Sequence, residues 1–350
     1  MKLGIIGTGA NGRGHIQVIS LFKNINIVAL CDPNRNSLSK AEEVLREKGL
    51  YSPSIKKFRN YEELLKIEEI DAVLISTPNY THKEITIASL EAGKHVLCEK
   101  PMATNAKECQ EIIKAQKRAG KALQIGLEYR HAPIYQKMKQ LIQKGEVGKP
   151  WVLWCKEFRG PFAKKVEDWI LQRDKSGGSL VEKDCHHFDL FNWFAKSRPL
   201  RVSGFGGNEV IYQKRDILDH AWVIVEYENG ARACLGLCFF SPYGNDILEV
   251  GIIGDKGKIE SYQNTMEIIL WKRSKPLKKV FPIYISPKIG ETSHNGSMYY
   301  QWKHFLKVVE GEAEPFPGGE IGLWSVAVPE AAEKAIEEKR IVEVKEVLNA

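Results

Sequence analysis

A chain of 350 residues, 43% of them apolar, has material for two hydrophobic cores, so two domains of unequal size are expected. Its formal charge of +7 is modest and its acids and bases are interspersed, which suits small anionic or polar ligands more than a nucleic-acid surface. No apolar run approaches the roughly 20 residues of a membrane helix, and seven irregularly spaced cysteines fit a reducing cytoplasm better than a disulfide framework.

Strand residues begin at Leu3, which leaves no room for a secretory leader, so a cytoplasmic location is expected. Residues 3–6 form a short apolar run, followed by the turn Gly7, Thr8, Gly9, Ala10, Asn11 and Gly12, and a helical period then takes over. Strand, GxGxxG and helix in that order make a dinucleotide phosphate turn. Two glycines admit a tight turn and close backbone approach, the third lets helix and strand pack, and the pyrophosphate sits at the helix N-terminus. A second apolar run, residues 27–31, ends in Asp32, where such folds place a carboxylate on the adenosine ribose. A carboxylate accepts hydrogen bonds from ribose hydroxyls and repels a 2′-phosphate, so NAD is favoured over NADP; Arg35 nearby softens that preference.

Further strand and helix units follow. Residues 35–48 and 61–65 read as helices, and 72–75 as a buried strand ending at Ser76, Thr77, Pro78 and Asn79. That loop falls at the carboxyl edge of a parallel sheet, where open α/β sheets bind ligands. His82 opens the next helix, either as a cofactor contact or as a helix residue with local hydrogen bonds. The strand at 95–98 delivers Glu99, Lys100 and Pro101 to the same edge, and a helix at 104–119 and a strand at 122–126 follow. A lysine placed where a buried strand meets a loop, held by a proline, is a candidate for chemistry. The alternation predicts an α/β fold whose N-terminal domain, residues 1–122, is a doubly wound parallel Rossmann sheet.

Residues 123–350 have a different texture. After a helix at 134–144 come strands at 151–158, 201–210, 221–227, 231–238, 247–253, 267–271 and 280–285. Asn229-Gly230 and Asp255-Lys256-Gly257 are hairpin signals, so an α+β domain with a large, mostly antiparallel open sheet is expected. A broad open sheet is seldom left naked, which points to a homo-oligomer, dimer or tetramer, formed through it. The basic run 272–279 has Pro276 at its centre and reads as an exposed hairpin with no nucleic-acid partner. Cys234 and Cys238 read as core residues.

Between the first two of these strands, a Ser176-Gly177-Gly178 turn leads into a helix carrying Glu182, Lys183, Asp184, Cys185, His186, His187 and Asp189. Glu182 and His186 are four apart and share a helical face. A histidine suits the proton of a hydroxyl that loses hydride from its carbon, and a lysine ammonium suits the developing alkoxide. No metal is expected, because adjacent helix residues point in different directions and do not converge on one ion.

Together these motifs resemble the Gfo/Idh/MocA family of oxidoreductases over nearly the whole chain. The matching pieces are the turn from Gly7 to Gly12 with His15, Thr77-Pro78-Asn79 with His82, Glu99-Lys100-Pro101, Ser176-Gly177-Gly178 leading to His186 and Asp189, and Gly254-Asp255-Lys256-Gly257. The resemblance implies hydride transfer between NAD and a secondary alcohol of a sugar, inositol or related polyol. By it, Lys100 holds the reacting hydroxyl and His186 is the acid-base residue. It also implies cofactor contacts at Ser76, Thr77, Pro78, Asn79, His82, Glu99, Lys100 and Arg130. Substrate contacts are implied at Tyr129, Trp169, Glu182, Lys183, His187 and Tyr243, with His294 a weaker one. The family usually has aspartate four residues before the histidine and often glycine two before it; Glu182 and Asp184 stand there, which leaves the substrate open. Two other readings stay open: a redox-neutral glycosidase or lyase that uses NAD through a transient keto-sugar, and a non-catalytic sugar-sensing regulator.

Overall fold

A computed structural model describes residues 1–349 except Tyr243, Gln263, Asn264, Ser293 and His294. Two of the expected substrate contacts, Tyr243 and His294, therefore lie outside the described residues. In chain order the N-terminal elements are β1 (Lys2–Ile6), α1 (Ala10–Ile19), β2 (Asn26–Cys31), α2 (Arg35–Glu47), β3 (Lys56–Phe58), α3 (Tyr61–Leu65), β4 (Ala72–Ile75), α4 (His82–Glu91), β5 (His95–Glu99), α5 (Ala106–Ala119) and β6 (Leu123–Gly126). Next come α6 (Pro133–Gln143), β7 (Pro150–Phe158), α7 (Arg173–Ser176), α8 (Ser179–Ala195), β8 (Pro199–Gly207), β9 (His220–Tyr227), β10 (Arg232–Cys238), β11 (Ile247–Gly254), β12 (Gly257–Tyr262), β13 (Glu267–Lys272) and β14 (Lys278–Pro282). The chain closes with α9 (Pro287–Gly290), α10 (Ser297–Val309), α11 (Gly319–Glu338), β15 (Val342–Glu343) and α12 (Lys345–Leu348).

Two compact units emerge. The first comprises Met1–Ala103, Glu108–Ala132 and Ile285–Leu323. Its six strands run parallel in the order β3-β2-β1-β4-β5-β6, the doubly wound arrangement expected. β4, β6 and most of β1 are buried throughout, as parallel strands covered on both faces must be. The strand order turns back between β1 and β4, so the loops that follow those two strands sit at the switch point where such sheets take ligands. Met298, Trp302 and Phe305 of α10 join the core formed by Leu3, Ile5, Ile16, Leu30, Leu74 and Leu97.

The second unit comprises Thr104–Lys107, Pro133–Tyr284 and Trp324–Ala350. Its nine strands follow the order β14-β13-β12-β11-β7-β10-β9-β8-β15. All pairs are antiparallel except β7 with β10. On β7, Leu153, Cys155 and Glu157 alternate inward, and α8 buries Phe188, Phe191 and Phe194. β8 stops at Gly207, short of the expected residue 210. The reason is Asp219, whose Oδ2 accepts the N–H groups of Val210, Ile211 and Tyr212 at 2.9, 2.7 and 3.2 Å and holds them in a loop. Among the described residues, no helix is long and apolar enough to cross a membrane, and all seven cysteines are free thiols.

Candidate active site

The turn between β1 and α1 is built from glycines with different duties. Gly7 has φ +92°, and a Cβ there would lie 2.4 Å from the Ser76 carbonyl oxygen; a Cβ on Gly12 would lie 2.1 Å from the Gly7 carbonyl oxygen. Both positions need glycine so that β1, β4 and α1 can approach. At Gly9 a Cβ would meet nothing within 4 Å. Gly9 is also the N-cap of α1, where no side chain caps the helix and no acid lies in the first turn, which begins Ala10-Asn11. The first N–H groups and the positive helix end are left to an anion approaching from that open space.

Asp32 is fixed beside this turn. The Thr8 N–H and hydroxyl donate to its Oδ2 at 2.8 and 3.1 Å, and the Asn34 N–H donates to Oδ1 at 2.9 Å. A carboxylate offers about four acceptor positions, so room for a ribose hydroxyl remains. Arg35 is exposed at the first position of α2. An open phosphate cradle, an unsatisfied helix start and a positioned carboxylate fit NAD.

Ser76, Thr77, Pro78 and Asn79 follow β4 at the same edge, with the Thr81 hydroxyl donating to the Pro78 carbonyl and hydrogen-bonded to the Thr77 hydroxyl, each at 2.7 Å. His82 is buried, with Nδ1 donating to the Pro101 carbonyl at 2.8 Å and Nε2 to the Thr77 carbonyl at 2.9 Å. Carbonyls only accept, so both ring nitrogens carry protons. Burial opposes that charge, but Cys98 and the two carbonyls outweigh it and raise the pKa to about 9. His82 thereby ties the loop after β4 to the loop after β5, which favours the local-bonding reading of this residue.

Glu99 anchors the start of the Lys100 loop. Its Oε1 accepts from His15 Nε2 at 2.9 Å, and its Oε2 lies 3.3 Å from the Lys100 N–H. Burial pushes the carboxyl up, yet the His15 bond together with Lys100 and His82 holds it below the ordinary range. Gly126 on β6 is required here, because a Cβ would stand 2.9 Å from Glu99 Oε1. Glu99, expected among the cofactor contacts, thus has both oxygens turned to donors of the protein. Lys100 is half-buried. Tyr129 and Arg130 lie in the short helical turn after β6, both buried, with the Arg130 guanidinium 5.3 Å from the Phe316 ring centre.

The second unit carries the α8 residues. Glu182 and His186 are both buried, one turn apart. Lys183 Nζ donates to Glu157 Oε1 at 3.0 Å, with its side chain 14% exposed. His187 lies between Asp184 Oδ1, 2.8 Å from Nδ1, and Glu157 Oε2, 3.5 Å from Nε2. Burial raises the Asp184 carboxyl. Glu157 also feels burial, but Lys183, His187 and Arg159 keep it below the ordinary carboxylate range. Lys183 and His187 therefore have protein partners of their own, whatever ligand they also meet. Glu157 escaped the sequence reading; its signal is a glutamate at an inward strand position in line with Leu153 and Cys155. Trp169 sits partly exposed in the helical turn Val166–Leu171.

Comparison with known proteins bears directly on these features. The model of the oxidoreductase family GFO_IDH_MocA, NAD-binding Rossmann fold, matches residues 1–127, and that of the family's C-terminal alpha/beta domain matches residues 139–344. A myo-inositol 2-dehydrogenase of Thermotoga maritima is 27% identical over 353 residues, spanning 99% of this chain and 100% of that protein. A scyllo-inositol 2-dehydrogenase (NAD(+)) of Bacillus subtilis is 29% identical over 263 residues, 74% of this chain and 73% of that protein. The crystal structure of a probable dehydrogenase from Thermotoga maritima matches with a TM-score of 0.82 at 26% identity, covering 99% of this chain and 100% of that one. Residues 1–127, which carry the glycine turn and Asp32, thus match an NAD-binding Rossmann domain, and the chain belongs to the Gfo/Idh/MocA family of oxidoreductases.

Proposed function

We propose that this protein is a dehydrogenase that moves hydride between a secondary alcohol carbon of an inositol, or a closely related polyol, and NAD. The observation that carries the reading is the similarity to an inositol 2-dehydrogenase over 99% of the chain. NAD, when bound, supplies the hydride acceptor. Lys100 holds the hydroxyl oxygen and stabilises negative charge as it develops, and His186 takes the hydroxyl proton in oxidation and returns it in reduction. The alcohol thus loses its C–H bonding pair with the hydrogen to the cofactor and its O–H proton to His186, leaving a ketone. Thr8 to Gly12, Asp32, Arg35, the loop from Ser76 to Asn79 and Arg130 hold the cofactor. Glu182, Lys183, His187, Tyr129 and Trp169 select the substrate.

The protein works in the cytoplasm as a homo-oligomer, joined through the outer face of the nine-stranded sheet. Support for that contact comes from Phe205, Trp222 and Ile224 on β8 and β9, which are 84%, 52% and 53% exposed. One experiment tests the reaction: purified protein is incubated with NAD and a panel of inositols, sugars and acidic sugars while NADH fluorescence is followed. NADH formed with an inositol is the expected result. Failure to bind NADH, or no NADH with any polyol, overturns the reading, and bond cleavage without net NADH assigns the redox-neutral route instead.

A further inference from the structure

Helix α8 begins without a local cap. Its N-cap is Gly178, which has no side chain to offer, and the N–H two residues on, at Leu180, needs an acceptor that the preceding turn does not supply. The acceptor comes from far along the chain: Glu333 Oε1 on α11 takes the Leu180 N–H at 2.9 Å. The fit is tight. A Cβ on Gly178, whose φ is +96°, would lie 2.6 Å from that same oxygen. Glu333 is buried, facing Arg173, Asp184 and Glu337, and burial lifts its carboxyl pKa to about 7.

One turn earlier on α11, Glu330 performs the same service for another helix. Its Oε2 accepts the Ala106 N–H, the first of α5, at 2.7 Å. Residues three apart share a helical face, so α11 presents both carboxylates side by side. The two helix starts also meet: a Cβ on Gly177 would lie 2.7 Å from the Thr104 carbonyl oxygen. Gly177 and Gly178 are therefore glycines because Thr104 and Glu333 come so close. Along the chain, Lys100 lies six residues before Ala106, and His186 lies six residues after Leu180.

We propose that Glu330 and Glu333 are positioning residues for the reaction, one helix holding the starts of the two segments that lead to Lys100 and to His186. The role rests on the dehydrogenase reading above. Each carboxylate acts as a hydrogen-bond acceptor from a main-chain N–H, so the acceptor oxygen is what matters. Glutamine keeps such an oxygen in the same place, whereas alanine removes it.

The test compares Glu330→Ala and Glu333→Ala with Glu330→Gln and Glu333→Gln in the full-length protein. Turnover with the best polyol, NADH affinity, and amide hydrogen exchange at residues 104–110 and 178–184 are measured together. Each alanine variant should lose about tenfold to a hundredfold in kcat, the scale of a small misplacement of reacting groups. NADH affinity should stay within about twofold, since cofactor binding does not depend on the transition-state geometry. Exchange should quicken at the uncapped helix start, and the glutamine variants should recover most of the turnover. If Glu333→Ala does not fold, Glu333→Asp, which withdraws the carboxyl by one methylene from Leu180, takes its place. Alanine variants with normal kcat, NADH affinity falling in step with kcat, or glutamine variants as slow as alanine would each overturn the proposal. Wild-type protein that is itself inert toward every polyol overturns the dehydrogenase reading and this role with it, and that failure is recognised because the wild type, not the variants, is silent.

Discussion

The Trp302 indole N–H donates to His15 Nδ1 at 2.9 Å, across a separation of 287 residues. Because Nδ1 accepts, the ring proton must sit on Nε2, where it faces Glu99 Oε1 at 2.9 Å. The indole of α10 thus decides which way a histidine of α1 points its proton, and through Glu99 it steadies the main chain at Lys100.

Trp302→Phe keeps an aromatic ring but a smaller one, and leaves His15 Nδ1 buried without its donor, so stability should fall by about 1–3 kcal/mol. His15→Ala strips a buried carboxylate of its partner and should cost more, about 3–5 kcal/mol. Urea unfolding of the two variants beside wild type measures both; equal stabilities for all three would contradict the chain of bonds.

Gly9→Ala and Gly12→Ala separate binding from folding. A Cβ at Gly9 meets nothing, so that variant should unfold with wild-type stability, within about 0.5 kcal/mol, yet bind NADH at least about tenfold more weakly because the methyl group occupies the phosphate's space. At Gly12 the methyl collides with the Gly7 carbonyl, and both stability and binding should drop. Calorimetric titration with NADH and thermal melts give the comparison.

Lys100→Ala and His186→Ala should each lower kcat by about 10²–10⁴-fold while NADH still binds. A variant that keeps near-normal turnover removes its residue from the proposed chemistry.

Stability should decline as pH rises, in two windows. Folded Glu333 titrates near 7 against an ordinary 4.5, so between those values the native state holds a proton that the unfolded chain has released. Stability therefore falls across that window by about 3 kcal/mol, and Glu333→Gln should flatten it. His82 titrates near 9 against an ordinary 6.5. Its contribution is whole below 6.5 and is lost as pH climbs through 9, again about 3 kcal/mol, which His82→Gln should remove. Denaturant midpoints at a series of pH values would reveal either slope; a flat profile in the wild type would contradict both.

Replacing Phe205 and Trp222 with glutamate places charges on the outer sheet face without touching either core. The double variant should sediment as a smaller species than wild type while retaining NADH binding. An unchanged sedimentation coefficient would move the subunit contact elsewhere.

The glycine turn between β1 and α1 was legible because its requirements are local: glycines that neighbouring backbone crowds, a strand before and a helix after. Strands β1, β4 and β5 were likewise plain as apolar runs. β3, with the sequence Lys56-Lys57-Phe58, was not, since an edge strand carries lysines where a central one carries valines. The helices α10 and α11 went unread, and nothing in residues 285–323 announces their return to the first unit. Pairings such as Trp302 with His15, Glu333 with Leu180 and Lys183 with Glu157 join distant segments and leave no periodic trace. His82 was the intermediate case: the sequence placed it at the start of the helix after β4, and only the fold shows that its ring bonds the Pro101 and Thr77 carbonyls.

The ion pair of Lys183 with Glu157 bears on which sugars the protein should prefer. An unpaired Lys183 beside two histidines would make a basic recess suited to a uronate. In the fold its ammonium is already met by a counter-ion at 3.0 Å, with Arg159 3.7 Å from the same oxygen. Glu157 offsets one of those two positive charges, so an acidic sugar would gain less there than from an unpaired ammonium, and its carboxylate would lose hydration. If α8 lines the substrate site, this pairing should favour a ring that bears only hydroxyl groups over an acidic one, and the panel of inositols and acidic sugars measures that preference.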